Sequence, residues 1–256
     1  MHLIRLAGPH HKKGDGGDLH PKALLLLPGL DGTGSLFADF VAALPPTMRA
    51  QVVRYPTDKF LGYPELSSLV GEVVLPEEAF VVVAESFSTP LAVKLAATRP
   101  LNLVGLVICA GFVTNPVAGW LLHLKPLVRS FTFGIPPPGV IINHFMIGAH
   151  APAKLREDVR RTLRSVSPKV MALRVRAVMA CDAREDLINV QVPILYIQAR
   201  HDRLVGGDCF IEIQQLKPDT IWASISAPHF VLQREPDCAA ATVIEFMQGL
   251  PVSGSL

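Results

Sequence analysis

The sequence lacks a marked excess of charge of either sign. It holds 24 Lys and Arg residues against 22 Asp and Glu residues, a formal net charge of +2 at pH 7. This balance is too mild to attract the phosphate backbone of a nucleic acid, and no motif of interleaved basic and aromatic residues compensates for it. We therefore expect no nucleic-acid partner.

Paired cysteines and a secretory leader are also lacking. The cysteines form no C-x-x-C pair and have no histidine at zinc-finger spacing, which favours free, buried thiols in a reducing compartment. They are Cys109, Cys181, Cys209 and Cys238. The first residues have neither the apolar segment nor the cleavage site of a signal peptide. We expect a cytoplasmic protein without a bound metal.

No uninterrupted apolar stretch is long enough to cross a membrane. Residues 101–124 and 130–153 carry no charged side chain, but Asn102, Pro116, Gly134 and the prolines at 136–138 interrupt them. We interpret these stretches as a buried strand and apolar helices, and expect no transmembrane segment.

Apolar, β-branched runs alternate with helical patterns along much of the chain. The predicted strands are residues 23–27, 51–55, 80–84, 104–110, 194–199 and 220–224, and the predicted helices are residues 63–74, 87–98, 208–216 and 237–248. This alternation is typical of an α/β fold with a mostly parallel central sheet and helices on both faces. With half of its 256 residues hydrophobic, the chain can bury such a core.

One interval interrupts the alternation. The gap between the strands at 104–110 and 194–199 is far longer than an ordinary connection. We predict that residues 112–190, called the cap below, form an inserted helical unit, while residues 1–111 and 191–256 form the α/β core. The predicted cap helices are residues 116–130, 138–147, 151–165 and 168–181.

Ser86 lies where the strand at 80–84 turns into the helix at 87–98. The small residues Ala84 and Ser88 on either side permit a tight reversal, which would present the Ser86 hydroxyl at the carboxyl end of the strand. From this segment alone, a helix N-cap is an equally open interpretation. Ser88 is a rival nucleophile, but in the first helical turn its hydroxyl is expected to bond the backbone. Glu85 is expected to be a solvent or loop residue.

Two later loops supply the partners that a nucleophilic serine needs. A serine hydroxyl requires a base, commonly an imidazole held by a carboxylate. Asp202 follows the strand at 194–199 and His229 follows the strand at 220–224. Because the carboxyl ends of parallel strands share one edge, we predict that both side chains converge on Ser86. His201 is a less suitable base, because it cannot easily turn its ring onto the carboxylate of its neighbour.

The serine turn, the order Ser, Asp, His and the segment LLLLPGLDGTG at residues 24–34 together resemble the α/β-hydrolase family over nearly the whole chain. The resemblance implies a cap between the sixth and seventh strands, and an oxyanion hole formed by the backbone N–H groups of Leu30 and Phe87. The chain departs from the family pattern at Ala84 and Ser88, where glycine is usual, and at Pro28, where histidine is usual. None of these changes removes a catalytic group.

The cap is apolar, which suits an acyl group placed beneath it. We expect its substrate pocket to include Trp120, Leu124, Phe145 and Met146.

The end of the cap is basic. Residues 154–176 hold eight basic residues against two acidic ones. A solvated outer face is the first interpretation of this excess. The alternative is a docking surface for an acidic carrier protein, formed by Arg160, Arg161 and Arg164.

These features predict a serine carboxylesterase acting on short to medium acyl esters, a small-molecule substrate. Ser86 would attack, His229 would transfer the proton and Asp202 would orient the imidazole, with no metal or organic cofactor required. The layout also resembles capped carboxylesterases and the esterases that demethylate pimeloyl groups on acyl carrier protein. The latter resemblance implies carrier-linked ester or thioester hydrolysis as the alternative. An acyltransferase and a non-catalytic ligand-binding protein stay open.

Overall fold

Six parallel strands form the central sheet of the protein in a computed structural model, which describes residues 21, 23–73, 79–116 and 139–250. The strands are β1 (Ala23–Leu27), β2 (Arg49–Val52), β3 (Phe80–Glu85), β4 (Leu103–Cys109), β5 (Ile194–Ala199) and β6 (Ile221–Ile225). They lie in the order β2, β1, β3, β4, β5, β6, and every pairing is parallel. The predicted α/β class and parallel sheet are confirmed.

The central strands are buried on both faces, which explains their continuous apolar sequences. Alternate side chains of each strand enter opposite cores. Leu25 and Val82 belong to one core, and Leu24 and Val81 belong to the other.

Helices cover both faces of the sheet. They are α1 (Ala38–Ala42), α2 (Tyr63–Val73), α3 (Thr89–Ala97), α4 (Gly139–Ile142), α5 (Ala153–Ser165), α6 (Pro168–Val178), α7 (Arg184–Asn189), α8 (Gly207–Leu216), α9 (Val231–Arg234) and α10 (Pro236–Gln248). Helices α2, α3, α7 and α8 pack on one face, and α1, α9 and α10 pack on the other. No helix in the described ranges is both long and apolar enough to cross a membrane.

The predicted second strand is shifted in the structure. It begins at Arg49 and ends at Val52, whereas residues 51–55 were expected. The chain leaves the sheet because the Tyr55 N–H donates to the Gly32 carbonyl at 2.7 Å, in the loop that follows β1. This bond ties the loop after β2 to the loop after β1.

The cap interrupts the chain between β4 and β5. Counted over the described strands, these are the fourth and fifth, whereas the resemblance implied the sixth and seventh. Helix α4 continues into one π-helical turn at Asn143–Ile147, and α5 and α6 follow. The predicted helix at 116–130 lies almost wholly outside the described residues. The two ends of the cap meet, because Thr114 and Asp182 form an antiparallel bridge. The boundaries at 112 and 190 stay a prediction.

Candidate active site

A chain of hydrogen bonds joins Ser86, His229 and Asp202 at the carboxyl edge of the sheet. Ser86 follows β3, Asp202 lies in the loop after β5 and His229 in the loop after β6. The His229 Nε2 atom lies 3.0 Å from the Ser86 Oγ atom, and His229 Nδ1 lies 2.7 Å from Asp202 Oδ2. The structure therefore brings together the three side chains that the sequence predicted to converge.

The Asp202 carboxylate is held by its own loop. Its Oδ1 atom accepts hydrogen bonds from the N–H groups of Leu204 at 2.8 Å and Val205 at 3.0 Å. These bonds leave Oδ2 for the imidazole. The side chains of Asp202 and His229 are each only 5% exposed, so little solvent competes for their contact.

The loop that carries His229 is fastened to the cap. The Phe230 N–H donates to the Met146 carbonyl at 3.0 Å, and the Arg234 Nη1 donates to the Ile147 carbonyl at the same distance. Both acceptors belong to the π-helical turn after α4. The imidazole is therefore supported by both the sheet and the cap.

Ser86 has a left-handed backbone conformation, with φ of +49°. Residues other than glycine rarely adopt such angles, and the strain costs roughly 1–3 kcal/mol at functional sites. Glu85 before it is still extended, and α3 begins three residues after it. The abrupt reversal is the one that the sequence predicted for this turn, and it exposes the serine hydroxyl at the sheet edge.

The Ser88 hydroxyl stabilises this turn through hydrogen bonds. Its buried hydroxyl donates to the Pro28 carbonyl and lies 2.7 Å from the Tyr55 hydroxyl. The expectation that Ser88 bonds the backbone is confirmed. A serine in place of the usual glycine thus links the turn after β3 to the loop after β1.

Leu30 and Phe87, the predicted oxyanion-hole residues, both line the cavity that contains Ser86. Leu30 lies in the loop after β1, where the Gly32 N–H donates to the Gly29 carbonyl at 3.0 Å and closes a tight turn. The Asp31 Oδ1 atom accepts the Thr33 N–H at 2.8 Å, which holds the chain directly after this turn.

Glu85 is not a solvent or loop residue, and that expectation is wrong. It is the last residue of β3, and it is 4% exposed. Its Oε2 atom accepts a hydrogen bond from Gln233 Nε2 at 3.3 Å, whereas Oε1 has no hydrogen-bond partner within the described residues. Burial raises the pKa of this carboxyl from 4.5 to about 7. Its position at the end of a strand that is buried on both faces is the sequence feature that could have indicated this burial.

The position of Arg174 also differs from the sequence interpretation. The sequence interpretation placed it with the solvated basic residues of the cap, yet it is 1% exposed. Its Nη1 atom donates to the carbonyls of Leu30 and Asp31, and its Nη2 atom donates to the carbonyl of Pro56. Its spacing from the buried Val170, one helical turn earlier on α6, could have indicated an inward position.

The other basic residues of this region lie near or at the surface. Arg161 and Arg164 are exposed on α5, and Arg160 is half-buried beside Gly139. Arg161 forms an ion pair with Asp158. Docking of an acidic carrier at these arginines stays a prediction.

A cavity of about 190 Å³ lies between Ser86 and the cap. Helices α5 and α6 supply much of its apolar wall. The described lining residues from the cap are Pro116, Met146, Val159, Leu163, Val175, Val178 and Met179. Met146 therefore lies where expected. Phe145 is not among the described lining residues and is 38% exposed, and Trp120 and Leu124 lie outside the described residues.

His201 takes no part in the hydrogen bonds that join Ser86, His229 and Asp202. The His201 Nε2 atom lies 3.2 Å from the Ser226 Oγ atom, in an exposed position. Among the described residues, no three His, Cys, Asp or Glu side chains converge as a metal-binding group.

The fold can be compared with known proteins. No protein-family model and no curated protein sequence matches the chain. A solved structure of a hydrolase from Oleispira antarctica is similar at 16% identity and a TM-score of 0.74, covering 91% of this chain and 92% of that one. MGS-M2, an α/β hydrolase enzyme from a Medee basin deep-sea metagenome library, has 16% identity, a TM-score of 0.69 and 95% coverage of both chains.

A thermophilic esterase from Thermogutta terrifontis is also similar, at 15% identity and a TM-score of 0.71, with 88% of this chain and 89% of that one covered. Likeness at such low identity establishes the architecture. The protein has the α/β-hydrolase fold.

Proposed function

We propose that the protein is a serine carboxylesterase that hydrolyses short acyl esters through Ser86, His229 and Asp202. The observation that carries this proposal is the continuous set of contacts from the Ser86 hydroxyl through the imidazole to a buried carboxylate. Such a set converts a weak nucleophile into an effective one.

In the first half of the reaction, His229 Nε2 takes the proton of Ser86 as Oγ bonds to the carbonyl carbon of the ester. Asp202 stabilises the imidazolium that forms. The carbon–oxygen bond to the alcohol then breaks, and the imidazolium returns its proton to the leaving oxygen. The acyl group remains on Ser86.

In the second half, His229 takes a proton from water, and the water oxygen attacks the acyl carbon. The bond to Ser86 breaks, the serine regains its proton, and a carboxylic acid leaves. In both halves the carbonyl oxygen becomes negative. The N–H groups of Leu30 and Phe87 would stabilise it, and one such donor is worth about 10²- to 10³-fold in rate.

The size and lining of the cavity favour an uncharged, short acyl group. Its volume of about 190 Å³ is smaller than the roughly 300–1,000 Å³ of pockets that hold drug-sized ligands. Apolar side chains of α5 and α6 form much of the wall, so burying an alkyl chain there is favourable. An ester substrate is also in keeping with the shared fold of the Thermogutta terrifontis esterase.

The test uses p-nitrophenyl esters from acetate to decanoate and a fluorophosphonate that labels activated serines. We expect the highest kcat/KM at short chains, labelling at Ser86, and loss of both turnover and labelling in Ser86→Ala. Ser35→Ala is the matched control, because Ser35 begins a short 3₁₀ helix after β1, and its hydroxyl contacts Thr33 and Thr162 instead of the Ser86 site. Undiminished turnover in Ser86→Ala would refute the proposal.

A further inference from the structure

We propose that Arg174, on α6 of the cap, is a positioning residue that holds the two halves of the oxyanion hole in register. The inference rests on the proposed function, because it assigns a role within the same site. Arg174 is not among the described residues that line the cavity, so it would act through the backbone beside it.

The first half is the loop after β1. Arg174 Nη1 donates to the Leu30 carbonyl at 3.0 Å and to the Asp31 carbonyl at 2.6 Å. These two carbonyls belong to the consecutive peptide units on either side of the Asp31 Cα atom. Hydrogen bonds from a charged donor are stronger than neutral ones, so this loop is fixed directly after the residue whose N–H would face the substrate oxygen.

The second half is the turn after β3. The guanidinium carbon of Arg174 lies 5.9 Å from the centroid of the Phe87 ring and 5.8 Å from that of the Tyr55 ring. A cation at this distance over an aromatic face is attracted to it. Phe87 supplies the second proposed N–H, and Tyr55 is bonded to Ser88 in the same turn. One guanidinium therefore contacts both halves.

The loop is shaped around the guanidinium. Gly32 has φ of +71°, and a Cβ atom added there would lie 2.6 Å from Arg174 Nη1. The loop thus has a glycine at the point where a side chain would displace the arginine. In addition, Pro28 stands where the resembled family has a histidine that often braces this loop. Arg174 supplies a brace from the cap instead.

Burying an arginine to attach a helix to the core costs free energy. Burial lowers the pKa of Arg174, which reflects the cost of removing the charge from water. Its Nε atom is buried without a hydrogen-bond partner within the described residues. An apolar side chain of similar length often stabilises a buried position as well or better. The burial of the Arg174 charge is therefore better explained by the hydrogen bonds through which the guanidinium holds the loop after β1 in place.

The experiment compares Arg174→Met and Arg174→Lys with Arg176→Met, which removes an exposed charge from the same helix. A displaced oxyanion donor lowers turnover, and a misplacement near 1 Å costs about 10²-fold. We expect kcat of Arg174→Met to fall about 10- to 100-fold with KM within about 3-fold of the wild type. Arg174→Lys should recover part of the loss, and Arg176→Met should match the wild type.

The affinities for two ligands distinguish a positioning role of Arg174 from a purely structural one. A trifluoromethyl ketone forms an adduct with the nucleophilic serine and places an oxyanion in the hole, whereas an amide of the same acyl group does not react. We expect the Arg174 variants to lose affinity for the ketone in proportion to kcat/KM, with unchanged affinity for the amide.

Equal affinity of wild type and Arg174→Met for the ketone would overturn the inference, as would equal losses for ketone and amide. If Arg174→Met fails to fold, Arg174→Lys carries the same comparison, and wild-type kcat in that variant would also overturn it. Ser86→Ala keeps the two proposals apart. An active Ser86→Ala refutes the proposed function, whereas an inactive Ser86→Ala with fully active Arg174 variants refutes the positioning role alone.

Discussion

Gln233 donates a hydrogen bond to Glu85 at 3.3 Å, and both side chains are buried directly behind the nucleophile turn. Glu85 precedes Ser86 in the chain and lines the same cavity. The Gln233 amide and the Gly29 backbone only partly offset the cost of burying this carboxylate, so the neutral form of the acid is favoured. This relationship makes stability depend on pH.

Replacing Glu85 with Gln should remove that dependence. The pKa of Glu85 is raised from 4.5 to about 7 in the folded protein. The folded state therefore holds the proton more tightly than the unfolded state. The resulting stabilisation is complete below pH 4.5 and is lost as the pH rises through 7. The wild type should lose roughly 3 kcal/mol relative to Glu85→Gln over this range.

Urea unfolding of both proteins from pH 4 to pH 8 measures the difference. Glu65→Gln, at an exposed carboxyl on α2, is the control and should show a constant difference from the wild type. Parallel curves for the wild type and Glu85→Gln would show that the buried carboxyl does not titrate as inferred.

Replacing Ser86 with Gly should stabilise the fold relative to Ser86→Ala. Both variants lack the hydroxyl, but only glycine adopts φ of +49° without strain. The expected gain in the free energy of unfolding is about 1 kcal/mol. Thermal unfolding of the two variants measures it. A less stable Ser86→Gly would indicate that the turn is relaxed with a side chain present.

Asp202→Asn should lower kcat by about 10²- to 10⁴-fold at neutral pH, because the amide cannot stabilise the imidazolium. The N–H groups of Leu204 and Val205 can still bond the remaining oxygen, so the fold should be retained. The measurement is ester turnover together with far-UV circular dichroism. Asp182→Asn is the matched control, because the Asp182 carboxylate is exposed and paired with Arg184. Asp182→Asn should leave kcat unchanged. An equal loss of kcat in both variants would contradict the proposed role of Asp202.

Leu163→Ala should shift the substrate preference toward longer acyl groups. Leu163 lines the cavity from α5, and its truncation adds space at the apolar wall. Each additional buried methylene group is worth about 0.8 kcal/mol, so the ratio of kcat/KM for hexanoate over acetate should rise about 10-fold or more. Ile188→Ala, at an exposed position on α7, should leave the ratio unchanged. An unchanged ratio in Leu163→Ala would place the acyl chain elsewhere.

The sequence by itself determined the α/β class and the meeting of Ser86, Asp202 and His229. Burial on both faces requires continuous apolar strands, and parallel strands end at one edge, so local patterns were sufficient to place these residues. The longer helices of the described residues were also predicted to within a few residues. The short helices α1, α7 and α9 were missed, because they are too short to show a helical period.

Only the tertiary structure decided the surroundings of the nucleophile. A charged residue is expected in solvent because burying it costs free energy, and the contacts that offset this cost come from distant parts of the chain. Arg174 reaches carbonyls 144 and 143 positions away, and Glu85 meets Gln233 across 148 positions. Sequence spacing carries no record of such pairings, because they arise only when the cap and α9 pack against the edge of the sheet.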